Sequence, residues 1–464
     1  MASFSERYHK RHGIGGAVLG VVVVVVIIVA ALAGYFAASS SITASTSTSY
    51  LTSTLPAVTN TVTNTATVTN TATVTQTNTV SVSGTVTVTQ TGTVTTTATQ
   101  TTTQTTTQTT TTTTTQTTFA TPTLPPKGSS SLPTLASPIS EAGSSLVFPL
   151  FQLWAANFTS VMYPNVQVNT AAGGSGAGQT GVESGTITIG GSDPFLTNAQ
   201  QAAYPNILDI PVAISAQQVN YNLPGLSHPL NFTGNVLAGI YNGTITYWDA
   251  AAIKAINAGD ASQLPHQLIV PLHRSDSSGD TNLFTTYLTD TSPDWAKNFG
   301  AGNTVVWANV PGSAAENGNS GMLTGCEQTQ YSIAYIGISY LSQANAAGLG
   351  NAKLQNLAGN FVAINQANIQ ASVNAQYNNT PPSERYSLIY GPGATSYPIV
   401  NYEYALVNMH QGNANLALDL RTLLDWATLP NYGNAPFFLN QVGFVPLPNS
   451  IAQLTWAQIA EIPV

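Results

Sequence analysis

Apolar and polar positions divide the chain into three textures. From Ile14 to Ala38 no residue is charged, and Val21-Val-Val-Val-Val-Val-Ile-Ile-Val29 is unbroken. A bilayer-spanning helix needs about 20 apolar residues, so the run is long enough to cross. From Ser39 to Thr118 the chain is mostly Thr with Ser, Val, Asn and Gln, including the near-copies Thr61-Val-Thr-Asn-Thr-Ala66 and Thr67-Val-Thr-Asn-Thr-Ala72. From about Leu135 short apolar strands alternate with helical periodicity, the pattern of an α/β domain. Leu150, Leu153, Trp154 and Phe158 predict a helix over Leu150–Met162, ended by Tyr163-Pro164. Val166–Val168, Thr186–Gly190 and Leu268–Leu272 predict strands, and Leu283, Phe284, Tyr287 and Leu288 predict a helix from Thr281.

Arg7, Lys10 and Arg11 precede the apolar run. Basic flanks stay on the cytoplasmic side, so residues 1–13 read as a cytoplasmic tail, 14–38 as a transmembrane anchor, and all that follows as extracellular. Two other readings stay open. Ala31-Leu-Ala33 resembles a signal-peptidase site, and basic residues before a long apolar helix resemble pilin-like signals of archaeal surface proteins, with cleavage near Gly13. Residues 39–134 read as a disordered Thr/Ser-rich stalk and a Pro/Ser linker, because they offer almost no large side chains to bury. Fully extended, Ser39–Thr118 would reach on the order of 250 Å.

Only 6% of residues are charged, and the net charge is −8. Such a chain has no basic face for nucleic acid. Cys326 is the single cysteine, which excludes an intrachain disulfide and a thiolate metal cluster.

Against that background, Leu268-Ile-Val-Pro-Leu-His-Arg-Ser-Asp-Ser-Ser-Gly-Asp280 stands out. A strand that ends in Ser-Ser-Gly and opens a helix aims several backbone N–H groups at one spot, with the positive end of the helix dipole behind them. Arg274 adds a planar fork of donors suited to a tetrahedral oxyanion. Ser277 and Ser278 could simply cap the helix. A cap, however, has no use for one of the ten cationic side chains in the whole chain.

Other motifs fail on context. Gly176-Ala-Gly-Gln-Thr-Gly181 matches G-x-G-x-x-G, but the helix after it reads as very short and the following acid is too near for a ribose partner. The six histidines show no metal-binding spacing, and no G-x-S-x-G elbow occurs. His273 beside Arg274 reads as a packing residue. No cofactor and no catalytic group is expected.

From about Ala142 onward the chain resembles the phosphate-binding proteins of ABC phosphate importers. The likeness is carried by Gly143-Ser-Ser-Leu-Val-Phe-Pro-Leu-Phe-Gln-Leu-Trp154, Gly174-Ser-Gly-Ala-Gly178 with Gly191-Ser-Asp193, and Leu237–Asp249. The strongest stretch is Arg274-Ser-Asp-Ser-Ser-Gly279, supported by Gly318–Gly321, Ser332–Gly337 and Val442–Pro448. It implies a two-lobed α/β periplasmic-binding-protein-like fold of type II over residues 135–464, crossed twice at a hinge. Lobe one would take 135–212 and 393–464, and lobe two 213–392.

The resemblance further implies a site for dehydrated inorganic phosphate. Ser145 stands where the family has a ligand threonine, and the Leu146 amide is the adjacent donor. Ser175 matches a cleft serine, and Asp193 a proton-accepting aspartate. Arg274, Ser278 and Gly279 match the arginine, serine and backbone donor, while Asp276 would hold the arginine in place. Asp280 departs from the pattern, standing where many members have a ligand threonine; it would either turn away or accept a proton from the ligand. The function implied is extracellular phosphate capture and delivery to ABC permease subunits, from a membrane-tethered protein. A structural cell-surface protein reusing the fold, such as a pilin-like subunit or stalked adhesin, is the alternative, and phosphate-ester hydrolysis ranks third. Sequons at Asn157, Asn231, Asn242 and Asn378 are glycosylation candidates if the chain is exported.

Overall fold

The computed structural model describes residues 121–128, 132–135, 137–226 and 229–464, with four strand segments between residues 59 and 109. The apolar run 14–38 lies outside them. Among the described residues no helix is long and apolar enough to cross a membrane.

Two compact units divide at residue 117. In the first, Thr59–Asn64, Ala72–Val82, Val86–Thr97 and Gln104–Thr109 form an antiparallel sheet in the order first, fourth, third, second. The expected extended stalk is therefore a pleated ladder in these segments. β-branched Thr and Val favour that backbone, and the register sets Val74 opposite Val94 and Val80 opposite Val88.

The second unit is built on a mixed sheet of nine strands. In chain order these are β1 (Ile139–Gly143), β2 (Val168–Ala172), β3 (Ile189–Ser192), β4 (Ile207–Tyr221), β5 (Val270–Arg274), β6 (Ala314–Glu316), β7 (Ser332–Gly337), β8 (Gly350–Asn351) and β9 (Val400–Asn408). The spatial order is β6-β5-β7-β4-β9-β3-β1-β2, with β8 also on β4. Parallel β1, β2 and β3 form one flank, and parallel β5, β6 and β7 the other.

Strand β4 joins the two flanks. Its residues Ile207–Ala216 pair with β9, whereas Gln217–Tyr221 pair with β7. All fifteen residues are buried, as a strand covered on both faces must be. A second passage of the chain runs alongside at the change of partner: Gln217 N donates to Ile399 O, and Tyr397 Oη donates to Gln217 O.

Helices cover the sheet. Those used below are α1 (Phe148–Asn157), α2 (Ser175–Glu183), α3 (Gly279–Thr291) and α4 (Gly318–Gln328). Trp154, Trp248, Trp295 and Trp426 are wholly buried in the core, as is Cys326. Helix α1 starts two residues before the sequence pattern predicts, with Pro149 in its first turn, where its missing N–H costs nothing. Strands β2 and β3 are displaced toward the C-terminus relative to the apolar runs. Their ends take in Ala171-Ala172 and Gly191-Ser192, because ladder pairing with β1 and β9 overrides local turn propensity.

Candidate functional site

The site lies where β1, β3 and β5 end. Strand β5 runs through Arg274 itself, and Ser278 caps α3 by accepting from Thr281 N. Ser278 is therefore a helix cap, and Arg274 at the end of the preceding strand is buried. Tyr335 Oη accepts the Arg274 N–H at 2.9 Å and contacts Thr281 Oγ1, tying strand to helix. His273 stacks on Trp307.

Three of the guanidinium's N–H bonds are spoken for. Nε donates to Asp276 Oδ1 at 2.6 Å, Nη2 to Asp276 Oδ2, and Nη1 to Asp280 Oδ2 at 2.8 Å. One hydrogen on each terminal nitrogen is not taken up by these two carboxylates. Burial would raise the Asp276 carboxyl, but its bonds to Arg274 and to Gly318 N hold it below the ordinary value.

Asp280 does not turn away. It is fully buried, and its oxygens accept from Arg274, from Asn319 Nδ2 at 2.7 Å and from Gln217 Nε2 at 3.2 Å. Burial raises its pKa, with Arg274, Gln217 and Asn319 opposing the shift. Because Gln217 belongs to β4 and Asn319 to α4, this aspartate ties the arginine loop to the strand between the flanks.

The facing wall comes from β1, α2 and β3. Ser144 Oγ donates to Asp193 Oδ1 and accepts from the Leu146 N–H at 3.0 Å. Leu146 N, expected as a free ligand donor, is therefore engaged by Ser144. Ser175 Oγ accepts from Asp193 N at 3.1 Å. Ser145 Oγ accepts from both Asn319 N and Asn319 Nδ2 at 3.0 Å, so Asn319 spans from Ser145 to Asp280. Asp193 is buried, and burial followed by the charge on Asp280 raises its pKa.

The glycine-rich segment is not a loose loop. Ser175–Glu183 is a nine-residue helix that includes the whole Gly176–Gly181 motif. Gly174 has φ +83°, and Gly176 N donates to Ser277 O at 2.9 Å across the site. A methyl group on Gly174 would overlap Asp276, and one on Gly279 would overlap Asp193 Oδ2 and Ser175 Oγ. Here the missing Cβ serves close approach of the two walls.

All the expected residues thus converge: Ser145, Leu146, Ser175, Asp193, Arg274, Ser278, Gly279 and Asp280, with Asp276 behind the arginine. Ser144, Gln217 and Asn319 join them without having been picked out as site residues. Of the sequons, Asn378 is exposed and Asn157 half-buried in α1. Asn242 caps its own turn through Thr244, and Asn231 is bonded to Asn257 and Ile256.

A buried arginine among serine hydroxyls, between the two flanks of one mixed sheet, is the architecture of a solute-binding protein. The sequence profile of the PBP superfamily domain matches residues 37–429. The phosphate-binding protein PstS of Methanocaldococcus jannaschii is 34% identical over 331 residues, covering 66% of this chain and 82% of that protein. Its counterpart from Pasteurella multocida is 31% identical over 330 residues, covering 71% and 91%. Among solved structures, a periplasmic phosphate-binding protein bound with phosphate, PfluDING, aligns with TM-score 0.55 at 20% identity over 68% of this chain and 92% of its own. The chain belongs to the PBP superfamily and, within it, to the phosphate-binding protein family.

Proposed function

We propose that this protein captures inorganic phosphate outside the cell and hands it to the membrane subunits of an ABC importer. The observation that carries the reading is the buried Arg274 guanidinium between Asp276 and Asp280, packed in one cluster with Asp193, Ser145, Ser175, Ser278 and Gly279. Lobe one comprises 135–212 and 393–464, lobe two 213–392, and residues 14–38 tether the protein to the membrane. Phosphate keeps a proton to donate to the Asp193 carboxylate, whereas sulfate has none and would oppose two acceptors with nothing between them. Selectivity at this site is therefore a penalty on sulfate.

Titrating the full chain with phosphate in a calorimeter, with and without excess sulfate, tests the reading. Saturable heat and a thermal shift that sulfate does not reproduce are expected. Absence of both would favour a surface protein that has kept only the fold.

A further inference from the structure

Behind Asp193 lies a second carboxyl that the ligand would not touch. Glu403, on β9 between Tyr402 and Tyr404, is wholly buried. Ser215 of β4 donates to its Oε1, while Oε2 has neither a neutral donor nor solvent. The group within hydrogen-bonding reach is the carboxyl of Asp193, whose Oδ2 is likewise without a protein donor. Two carboxyls can bond to each other only if one proton lies between them.

The surrounding charges say which acid keeps it. Asp193 also accepts from Ser144 and is attracted to Arg274, while Asp280 repels both acids. Glu403 has only the Ser215 hydroxyl. Burial, and then the neighbouring Asp193, pushes the Glu403 carboxyl well above its ordinary range.

We infer that Glu403 is a specificity-determining positioning residue: as a neutral acid it donates a hydrogen bond to Asp193, keeping that aspartate an ionised acceptor toward the ligand. This deepens the phosphate reading and rests on it. The site holds one cation against Asp276, Asp280, Asp193 and Glu403, and a fourth ionised carboxyl would repel any anion. A neutral Glu403 removes that repulsion. Without its donor, Asp193 would take up a proton and present an O–H, and a fully ionised oxyanion could then bind.

Three full-length proteins test it: wild type, Glu403→Gln, whose amide can still donate, and Glu403→Ala, which cannot. At neutral pH Glu403→Gln should hold phosphate within about threefold of wild type and still exclude sulfate, because no charge has been removed. Glu403→Ala should let sulfate compete. A gain of more than about tenfold in phosphate affinity for Glu403→Gln would mean that an ionised carboxylate had been removed, and would overturn the assignment. So would undiminished sulfate exclusion in Glu403→Ala.

An infrared difference spectrum of ligand-free wild type against Glu403→Gln needs no phosphate. Loss of a protonated carboxyl C=O band at neutral pH is expected, and its absence refutes the shared proton. Failure of wild type to bind phosphate with the band present would instead count against the phosphate reading alone.

Discussion

Replacing Arg274 by Leu removes a cation from between two carboxylates, and two consequences can be separated. Asp280 is fully buried and would lose its Nη1 bond, leaving an unpaired buried carboxylate with only amide donors. Breaking a buried pair from one side costs about 3–5 kcal/mol. In a unit of this size that lowers the melting temperature on the order of 10 °C. Independently, the ligand loses a charge-assisted bidentate contact, a loss of roughly 2–5 kcal/mol in affinity. The double variant Arg274→Leu/Asp280→Asn removes the fully buried stranded charge and leaves only the less buried Asp276 with its Gly318 N–H, so it should recover part of the stability and none of the phosphate binding. Differential scanning calorimetry and isothermal titration on the three proteins read the two effects apart. Affinity within about tenfold of wild type for the single variant would place the arginine outside the ligand's reach. A double variant no more stable than the single one would show that Asp280 is not held as a buried ion.

Gly279→Ala should abolish tight phosphate binding, with a loss of about 100-fold or more, because the added methyl meets Asp193 and Ser175 before the walls close; titration calorimetry checks it. Asp193→Asn should let sulfate compete with phosphate, read as a fall in apparent phosphate affinity with added sulfate. Two carboxylates facing the ligand match the two protons of monobasic phosphate, so affinity should decline from mildly acidic to mildly alkaline pH and Asp280→Thr should flatten that decline; a titration profile superimposable on wild type would remove Asp280 from ligand protonation. Ligand-free stability should fall across the same range. Burial lifts Asp209 to about 7, with Leu196 N and Arg385 opposing, and lifts Asp425 to about 7 as well. A raised acid binds its proton more tightly in the folded state, so its penalty grows as pH climbs from the unfolded value through the folded one. The combined loss is on the order of 2–5 kcal/mol, visible as a lower melting temperature.

The arginine loop was legible because its signal is local: an apolar strand, hydroxyl turn residues and a helical period within twenty residues. Asp193 and Ser175 were reachable through the family resemblance, which fixes positions without needing distances. Ser144, Gln217, Asn319 and Glu403 were not, since each acquires its role from a partner far along the chain. Asn319 meets Ser145 across 174 residues, and Gln217 meets Asp280 across 63. Glu403 did carry a faint mark: it is a lone acid within Val400-Asn-Tyr-Glu-Tyr-Ala-Leu-Val407, a strand that otherwise reads as buried, in a chain with 18 acidic residues. The strands of the Thr-rich segment went the other way. Thr and Val are β-branched and pair strand to strand in the described segments without large side chains between them.

Strand β4, with residues 397–399 beside it, joins the two flanks at the anion site. Because that strand is hydrogen-bonded on one side of Ala216 to β9 and on the other to β7, the two halves cannot swing on a slack tether. A change of angle between the flanks would twist a continuous ribbon at Gln217, where the pairing partner changes. Gln217 is also the residue whose amide grips Asp280. Such a change of angle would therefore be felt directly at the Arg274–Asp280 pair.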